Sequence, residues 1–122
     1  MVAVDVKKNN NSWQVHSHGG TKNTGMDALD WLQKVEDIGA GEILFTSMDK
    51  DGTKSGFDLE ILSIANKILT IPVIASGGVG SIEHFYEGAK TGKADALLAA
   101  SVFHFNEFSI MDVKKYLKEK NI

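Results

Sequence analysis

The sequence contains no cysteine and no arginine. Without cysteine, a disulfide framework and a thiolate metal site are both excluded, and this absence is typical of proteins from a reducing compartment. We therefore expect a cytoplasmic location. Because all 13 basic residues are lysines, no bidentate guanidinium group is available to hold a phosphate. Any phosphate has to bind lysine, backbone N–H groups, hydroxyl groups or a helix N-terminus.

Long apolar runs and an excess of basic charge are also missing. No apolar segment approaches the roughly 20 residues that span a membrane, and residues 1–8 lack the pattern of a secretory signal. The formal net charge of −3 argues against nucleic-acid binding. The histidines have no spacing typical of a metal site, and Asp49 and Asp51 lack the other ligands of a calcium loop. We expect no metal, cofactor, membrane or nucleic-acid partner.

The sequence does contain short apolar segments that alternate with amphipathic ones. Strands are predicted at Val2–Val6, Ile43–Thr46, Val73–Ala75 and Ala96–Ala100. Helices are predicted from about Met26 and after the capping residues Asp58, Ser81 and Ser109. Residues 12–18 alternate like an extended segment that returns from a turn.

Short, nearly continuous apolar strands between helices indicate a parallel α/β fold with four βα units, in a single domain of residues 1–122. The pattern alone does not choose between an open sheet and half of an eight-stranded barrel. A half-barrel has two unpaired edges and an uncovered inner face, so we expect it to self-associate.

Polar residues or glycines follow each predicted strand directly. These positions are Asp5, residues 46–53, residues 76–80 and Ala100-Ser101. In α/β barrels, functional residues gather at the carboxyl ends of the strands. One such cluster would be an ordinary turn, but four in phase favour a shared site.

The glycine loop at residues 76–80 leads straight into a predicted helix N-terminus, where free N–H groups suit a phosphate. Ala100 and Ser101 follow the last strand, and phosphate sites in these barrels are built from the last two βα loops. The alternative is that Gly77 and Gly78 are glycines only because a tight turn needs positive φ.

Three aspartates are candidates for acid–base chemistry. Asp5, at the top of the first strand, is either a general acid or base or an ordinary capping or surface residue. Of Asp49 and Asp51, one is expected to tie the loop through an Asx turn and the other to face a substrate.

One long motif carries a family resemblance. Residues 42–56 read Glu-Ile-Leu-Phe-Thr-Ser-Met-Asp-Lys-Asp-Gly-Thr-Lys-Ser-Gly. With the glycine loop and residues 99–105, this run resembles the cyclase subunit of imidazole glycerol phosphate synthase. A sister isomerase family shares only a shorter Asp-Gly-Thr core. Residues 18–25 identify the first strand here as similar to the fifth strand of the family's (β/α)8 barrel.

The resemblance implies that this chain is a (βα)4 half-barrel, the C-terminal half of a TIM barrel. The family uses ammonia from a glutaminase partner to convert a two-phosphate ribulosyl formimino aminoimidazole carboxamide to imidazole glycerol phosphate, in histidine biosynthesis. It implies that Asp5 is catalytic, that Asp51 assists it, and that Glu42 lies near the ammonia entrance. Thr46 and Thr53 would line the site. One substrate phosphate would be held by Ser76, Gly77, Gly78, Ala100 and Ser101.

The first half of the family's barrel is absent, and with it the second catalytic aspartate and the second phosphate site. We therefore expect little or no turnover by the chain alone, and activity when a complementary N-terminal half completes the barrel. A homodimer that closes eight strands is the other way to complete it. The alternative function is a self-associating, phosphate-binding half-barrel without catalysis.

Overall fold

The computed structural model describes residues 1–122. Its strands are β1 Val2–Asn9, β2 Ser12–Ser17, β3 Lys22–Asp27, β4 Ile43–Ser47, β5 Val73–Ser76 and β6 Ala96–Leu98. Its helices are α1 Ala28–Asp37, α2 Leu59–Ile68, α3 Ile82–Lys90, α4 Ser101–His104 and α5 Ile110–Glu119. The strands form one sheet in the order β3-β2-β1-β4-β5-β6. None of the helices has the length and apolar character needed to cross a membrane.

Strands β1, β4, β5 and β6 are parallel neighbours in chain order. A doubly wound sheet reverses its strand order at a switch point, and no reversal occurs among these strands. Their buried side chains occupy alternate positions on one face, where they join helix residues in a core of 20 buried hydrophobic residues. The predicted (βα)4 architecture is confirmed, and its singly wound order is that of half a barrel.

The other face of the sheet, which we call the inner face, has no buried strand residue. The parallel register places two rows of side chains on it. The lower row is Ala3, Leu44, Ile74 and Ala96, and the upper row is Asp5, Thr46, Ser76 and Leu98. Sheets of parallel strands are normally covered on both faces. The partly exposed apolar row therefore lacks the layer that would bury it.

The β2–β3 hairpin differs from the sequence prediction. The extended return at residues 12–18 is confirmed as β2, but β3 was missed and the first helix begins at Ala28 rather than Met26. All but the last residue of β3 are exposed, so the strand has no apolar alternation for a sequence pattern to detect. The Thr24 hydroxyl donates to the Val15 carbonyl at 2.6 Å. Asp27 alone caps the helix, accepting from the Asp30 N–H at 3.0 Å.

One further boundary and one capping role were wrong for local reasons. The last strand ends at Leu98 instead of Ala100, because the chain turns into α4 at Ser101. Asp58 stands at the start of α2 but does not cap it. Its carboxylate instead accepts from the Ser47 hydroxyl at 2.9 Å, and Ser47 is the only buried polar residue. The carboxylate therefore gives the buried Ser47 hydroxyl an acceptor that it would otherwise lack.

The hairpin also shortens one of the expected open edges. Strand β2 pairs with Asp5–Asn9 of β1, so the upper part of that edge is covered. Val2, Ala3 and Val4 have no partner on this side. At the other edge of the four parallel strands, β6 pairs only with β5. The parallel strands therefore keep two short open stretches, one at each side of the inner face, and β3 forms the outer edge of the hairpin.

Glu36 connects α1 to the segment that leads into β5. Its Oε1 accepts from the Thr70 N–H at 2.7 Å, the Thr70 hydroxyl at 2.6 Å and the Ile71 N–H at 3.0 Å. These bonds, led by the Thr70 hydroxyl, hold the pKa of Glu36 below its usual value of 4.5. Since the ionised form is the one that is hydrogen-bonded, the interaction stabilises the fold above the ordinary carboxylate pKa. It is lost as the pH falls through the lowered pKa.

We predict that Glu36→Gln lowers the unfolding temperature at neutral pH, and that the difference from the unsubstituted protein shrinks on acidification below about pH 4. Thermal unfolding followed by circular dichroism across this pH range measures both effects. Glu119→Gln is the matched control, because Glu119 is exposed at the end of α5. An equal effect of the two substitutions would contradict the role assigned to Glu36.

Candidate functional site

A cavity of about 160 Å³ lies at the carboxyl ends of β4, β5 and β6. Three loops line it: the β4–α2 loop, the β5–α3 loop and the turn from β6 into α4. Its lining residues are Asp51, Gly52, Lys54, Ser76, Gly77, Gly78, Val79, Leu98, Ala99, Ala100 and Ser101. The structure thus brings together six residues singled out in the sequence, namely Asp51, Ser76, Gly77, Gly78, Ala100 and Ser101.

Other candidate residues lie outside the cavity lining. Thr46 and Asp5 share the upper row of the inner face with Ser76, one and two strands away from it, respectively. Glu42 directly precedes β4, so it lies at the opposite end of that strand. Thr53 is engaged within its own loop, where its hydroxyl donates to the Lys50 carbonyl at 2.6 Å. The structure does not bring Thr53 to the cavity.

The glycine loop has steric reasons for its composition. Gly77 and Gly78 have φ of 96° and 104°, which side chains rarely tolerate. A Cβ on Gly78 would overlap the carbonyl oxygen of Gly56. The Gly56 N–H donates to the Gly78 carbonyl at 2.7 Å, so this close approach fastens the β4–α2 loop to the glycine loop. The turn-geometry reading of the glycines is therefore satisfied, and it is compatible with a binding role.

His84 occupies two of the N–H groups at the helix entrance of α3, where the sequence predicted free donors for a phosphate. Its Nδ1 accepts from the Gly80 N–H at 3.0 Å and the Ser81 N–H at 3.2 Å. The ring must therefore carry its proton on Nε2 to accept at Nδ1. The N–H groups of Gly77, Gly78 and Val79 donate to no protein acceptor. The donors available in this loop thus precede the helix.

The two loop aspartates have different surroundings, and the bond that holds Asp49 is not the expected Asx turn. Asp49 accepts from the Lys8 N–H at 2.7 Å, which ties the β4–α2 loop to the end of β1. Asp51 lines the cavity, and its own N–H donates to the Ser47 carbonyl at 2.9 Å. Asp49 is therefore the structural member of the pair, and Asp51 the exposed carboxylate at the cavity.

The lining contains five further residues. Gly52 and Val79 belong to the polar and glycine clusters that the sequence predicted for the shared site. Lys54, Leu98 and Ala99 were missed, and the last two are apolar and carry no chemical signal. Lys54 is different, because it is the only cationic side chain in the lining. Its position three residues after Asp51 in the long motif was the signal that could have pointed to it. No group of three or more His, Cys, Asp or Glu residues is arranged to hold a metal ion.

Comparison with known proteins agrees with these observations. The protein-family model described as "Histidine biosynthesis protein" matches residues 1–109. The chain belongs to this family. It is 56% identical over 122 residues to the imidazole glycerol phosphate synthase subunit HisF of Prosthecochloris aestuarii. This match covers 100% of the chain and 49% of the relative. It is 52% identical to the HisF of Chlorobium limicola, with the same coverage.

The chain thus spans about half the length of the curated relatives it matches. The family resemblance drawn from the long motif and the half-length extent are both confirmed. Since HisF is a TIM-barrel protein, the singly wound sheet of this family member corresponds to half of such a barrel.

His84 provides a test of how the glycine loop is held. We predict that His84→Ala costs about 1 kcal/mol by removing the acceptor of two N–H groups at a helix start, or roughly 4 °C in unfolding temperature. His84→Gln should recover much of this loss, because a glutamine at this helix position reaches back to the capping N–H. Calorimetry measures the three unfolding temperatures. Equal stability of the alanine variant and the parent would show that the two bonds carry no weight.

Proposed function

We propose that this chain forms the phosphate-binding and one catalytic part of a cyclase barrel that makes imidazole glycerol phosphate in histidine biosynthesis. The observation that carries the proposal is the cavity shared by the glycine loop, Ser101 and Asp51, placed beside the upper row that contains Asp5. The supporting context is the high identity to HisF along the whole chain.

Phosphate would bind where the two loops face each other. The free N–H groups of Gly77 and Gly78 could donate to an anion, and the buried position of both glycines limits competition by water. Ser76 and Ser101 add hydroxyl groups, and Ala100 brings its backbone close without a bulky side chain. Hydroxyl and N–H donors suit a phosphate monoester in a chain that has no arginine.

Asp5 would transfer protons during ring closure. The register places Asp5 next to Thr46, which is next to Ser76. With neighbouring strands about 4.8 Å apart, the Asp5 Cα is roughly 10 Å from the wall of the phosphate cavity. If the substrate phosphate binds in the cavity, the rest of an extended substrate would lie across Thr46 and Asp5. Asp51 would assist from the cavity wall as a second carboxylate.

Ammonia would be the nitrogen donor for ring closure, supplied by a glutaminase subunit at the other end of the barrel. Glu42 lies at that end, and the alternation along β4 places it on the inner face with Leu44 and Thr46. A carboxylate at the lower mouth of the completed barrel suits a position at the ammonia entrance.

Residues 1–122 supply four of the eight parallel strands of a barrel. The inner face exposes its lower apolar row, and part of the strand edge is open at each side of the four parallel strands. A complementary N-terminal half or a second copy of this chain would cover them. The second-copy form favours the alternative function, a non-catalytic phosphate-binding half-barrel, because it lacks the distinct second carboxylate that acid–base catalysis needs.

The catalytic role of Asp5 is tested by complementation. We expect no turnover by the chain alone and ammonia-dependent cyclisation when the N-terminal half of HisF from Prosthecochloris aestuarii is supplied. Asp5→Asn should lower this turnover at least about 100-fold, as expected for loss of a general acid or base. Formation of imidazole glycerol phosphate measures the rate.

The matched control is Asp30→Asn, an exposed aspartate on the helix side of the sheet. It should assemble and turn over like the parent. Cyclisation by the Asp5→Asn barrel at the parent rate would remove Asp5 from the mechanism.

Self-association is tested by charge on the inner face. We predict that the chain alone sediments as a dimer at micromolar concentration, and that Leu44→Glu produces a monomer, because a carboxylate in the lower row cannot be buried without a partner. Ile38→Glu is the control, since Ile38 is 74% exposed at the far end of α1. A strictly monomeric parent with cooperative unfolding would contradict the second-copy arrangement.

A further inference from the structure

The proposed phosphate cavity has an unusual charge balance. Only two charged side chains line it, Asp51 and Lys54. The Asp51 carboxylate repels a phosphate anion, and the loop N–H groups contribute only partial charges. Lys54 is therefore the only full positive charge in the lining that can offset Asp51.

The Lys54 ammonium group already has a partner. Its Nζ lies 2.7 Å from Oε1 of Glu107, and the two side chains are 49% and 35% exposed. A carboxylate that occupies the ammonium group competes with any phosphate for it. Ion pairs with this much exposure contribute between about 0 and 1 kcal/mol, so exchanging one oxyanion for another has a small cost.

The backbones of both partners are held in place. Lys54 has a φ of 57°, and its backbone packs so closely on Gly80 that a Cβ there would overlap it. The Glu107 N–H donates to the carbonyl of Val102 in α4 at 2.9 Å. The ion pair thus joins the β4–α2 loop to the segment after α4. The first residue of α4, Ser101, lines the cavity.

We propose that Lys54 is a phosphate-binding residue and that Glu107 is its internal competitor, so that a bound phosphate takes the Lys54 ammonium group from the Glu107 carboxylate. This inference rests on the proposed phosphate site and assigns a residue pair that sets its affinity. In this arrangement the two members of one ion pair have opposite effects on binding. A pair that only stabilised the loops would give effects of the same sign.

The test measures the affinity for inorganic phosphate by titration calorimetry, at one pH and one ionic strength. Lys54→Gln should weaken binding about tenfold, as for loss of one charge-assisted contact. Glu107→Gln should strengthen it roughly threefold, by releasing the ammonium group. Should Lys54→Gln unfold the chain, Lys54→Asn replaces it, because asparagine tolerates positive φ.

The exposed pair Lys8–Glu60 supplies matched controls. It has a similar separation of 3.3 Å with side chains 46% and 62% exposed, and neither residue lines the cavity. Lys8→Gln and Glu60→Gln make the same changes of net charge, and each should alter the affinity less than about twofold because solvent screens distant charges.

Three results would overturn the inference. Weaker binding by Glu107→Gln would make the pair a structural link, and effects equal to those of the controls would reduce it to net charge. If the parent does not bind phosphate, the proposed site fails and the inference with it. The Gly78→Val variant tests the location of the anion, because blocking the glycine loop should abolish phosphate binding. If tight binding survives this substitution but is still weakened by substituting Lys54, the anion binds elsewhere.

Discussion

The parallel register of β1, β4 and β5 is the constraint on which the rest of this structure depends. Because side chains alternate along a strand, pairing Val4 with Phe45 sends both to the helices. The same register turns Asp5 and Thr46 to the inner face. A shift of one residue would exchange the two faces, placing carboxylate and hydroxyl groups in the core. The hydrophobic core and the candidate site are thus fixed by the same hydrogen bonds.

The loops above the sheet are held by contacts between backbones. Gly56 bonds to Gly78, and Lys54 packs on Gly80. His84 then takes the two N–H groups at the start of α3. These contacts require glycine at several positions, and they leave a few N–H groups of the loop without a protein acceptor. The glycine content of the loop therefore reflects close backbone approach as much as it reflects any ligand.

The sequence predicted the parallel strands because their apolar residues are continuous, as buried strands require. It also located Asp51, the glycine loop and the segment at Ala100 and Ser101, since each belongs to a loop that follows an apolar run. Strand β3 escaped, because five of its six residues are exposed on both faces. Lys54 was missed for another reason, because its ion pair joins it to Glu107 in a distant loop, and no local periodicity records such a contact. The bonds of His84 and Thr53 are local, but they form in turns, where the sequence has no regular period.

The hairpin that covers part of β1 has a consequence for how chains can add to one another. Strand edges that remain open at both ends of a sheet allow head-to-tail addition, and addition that does not close grows into filaments. Here β2 blocks the edge of β1 above Val4, and β6 is only three residues long. Each open stretch of the parallel strands can accept only a brief run of backbone bonds. Growth by strand addition at these two stretches is thereby weakened relative to a closed ring, which also covers the apolar row.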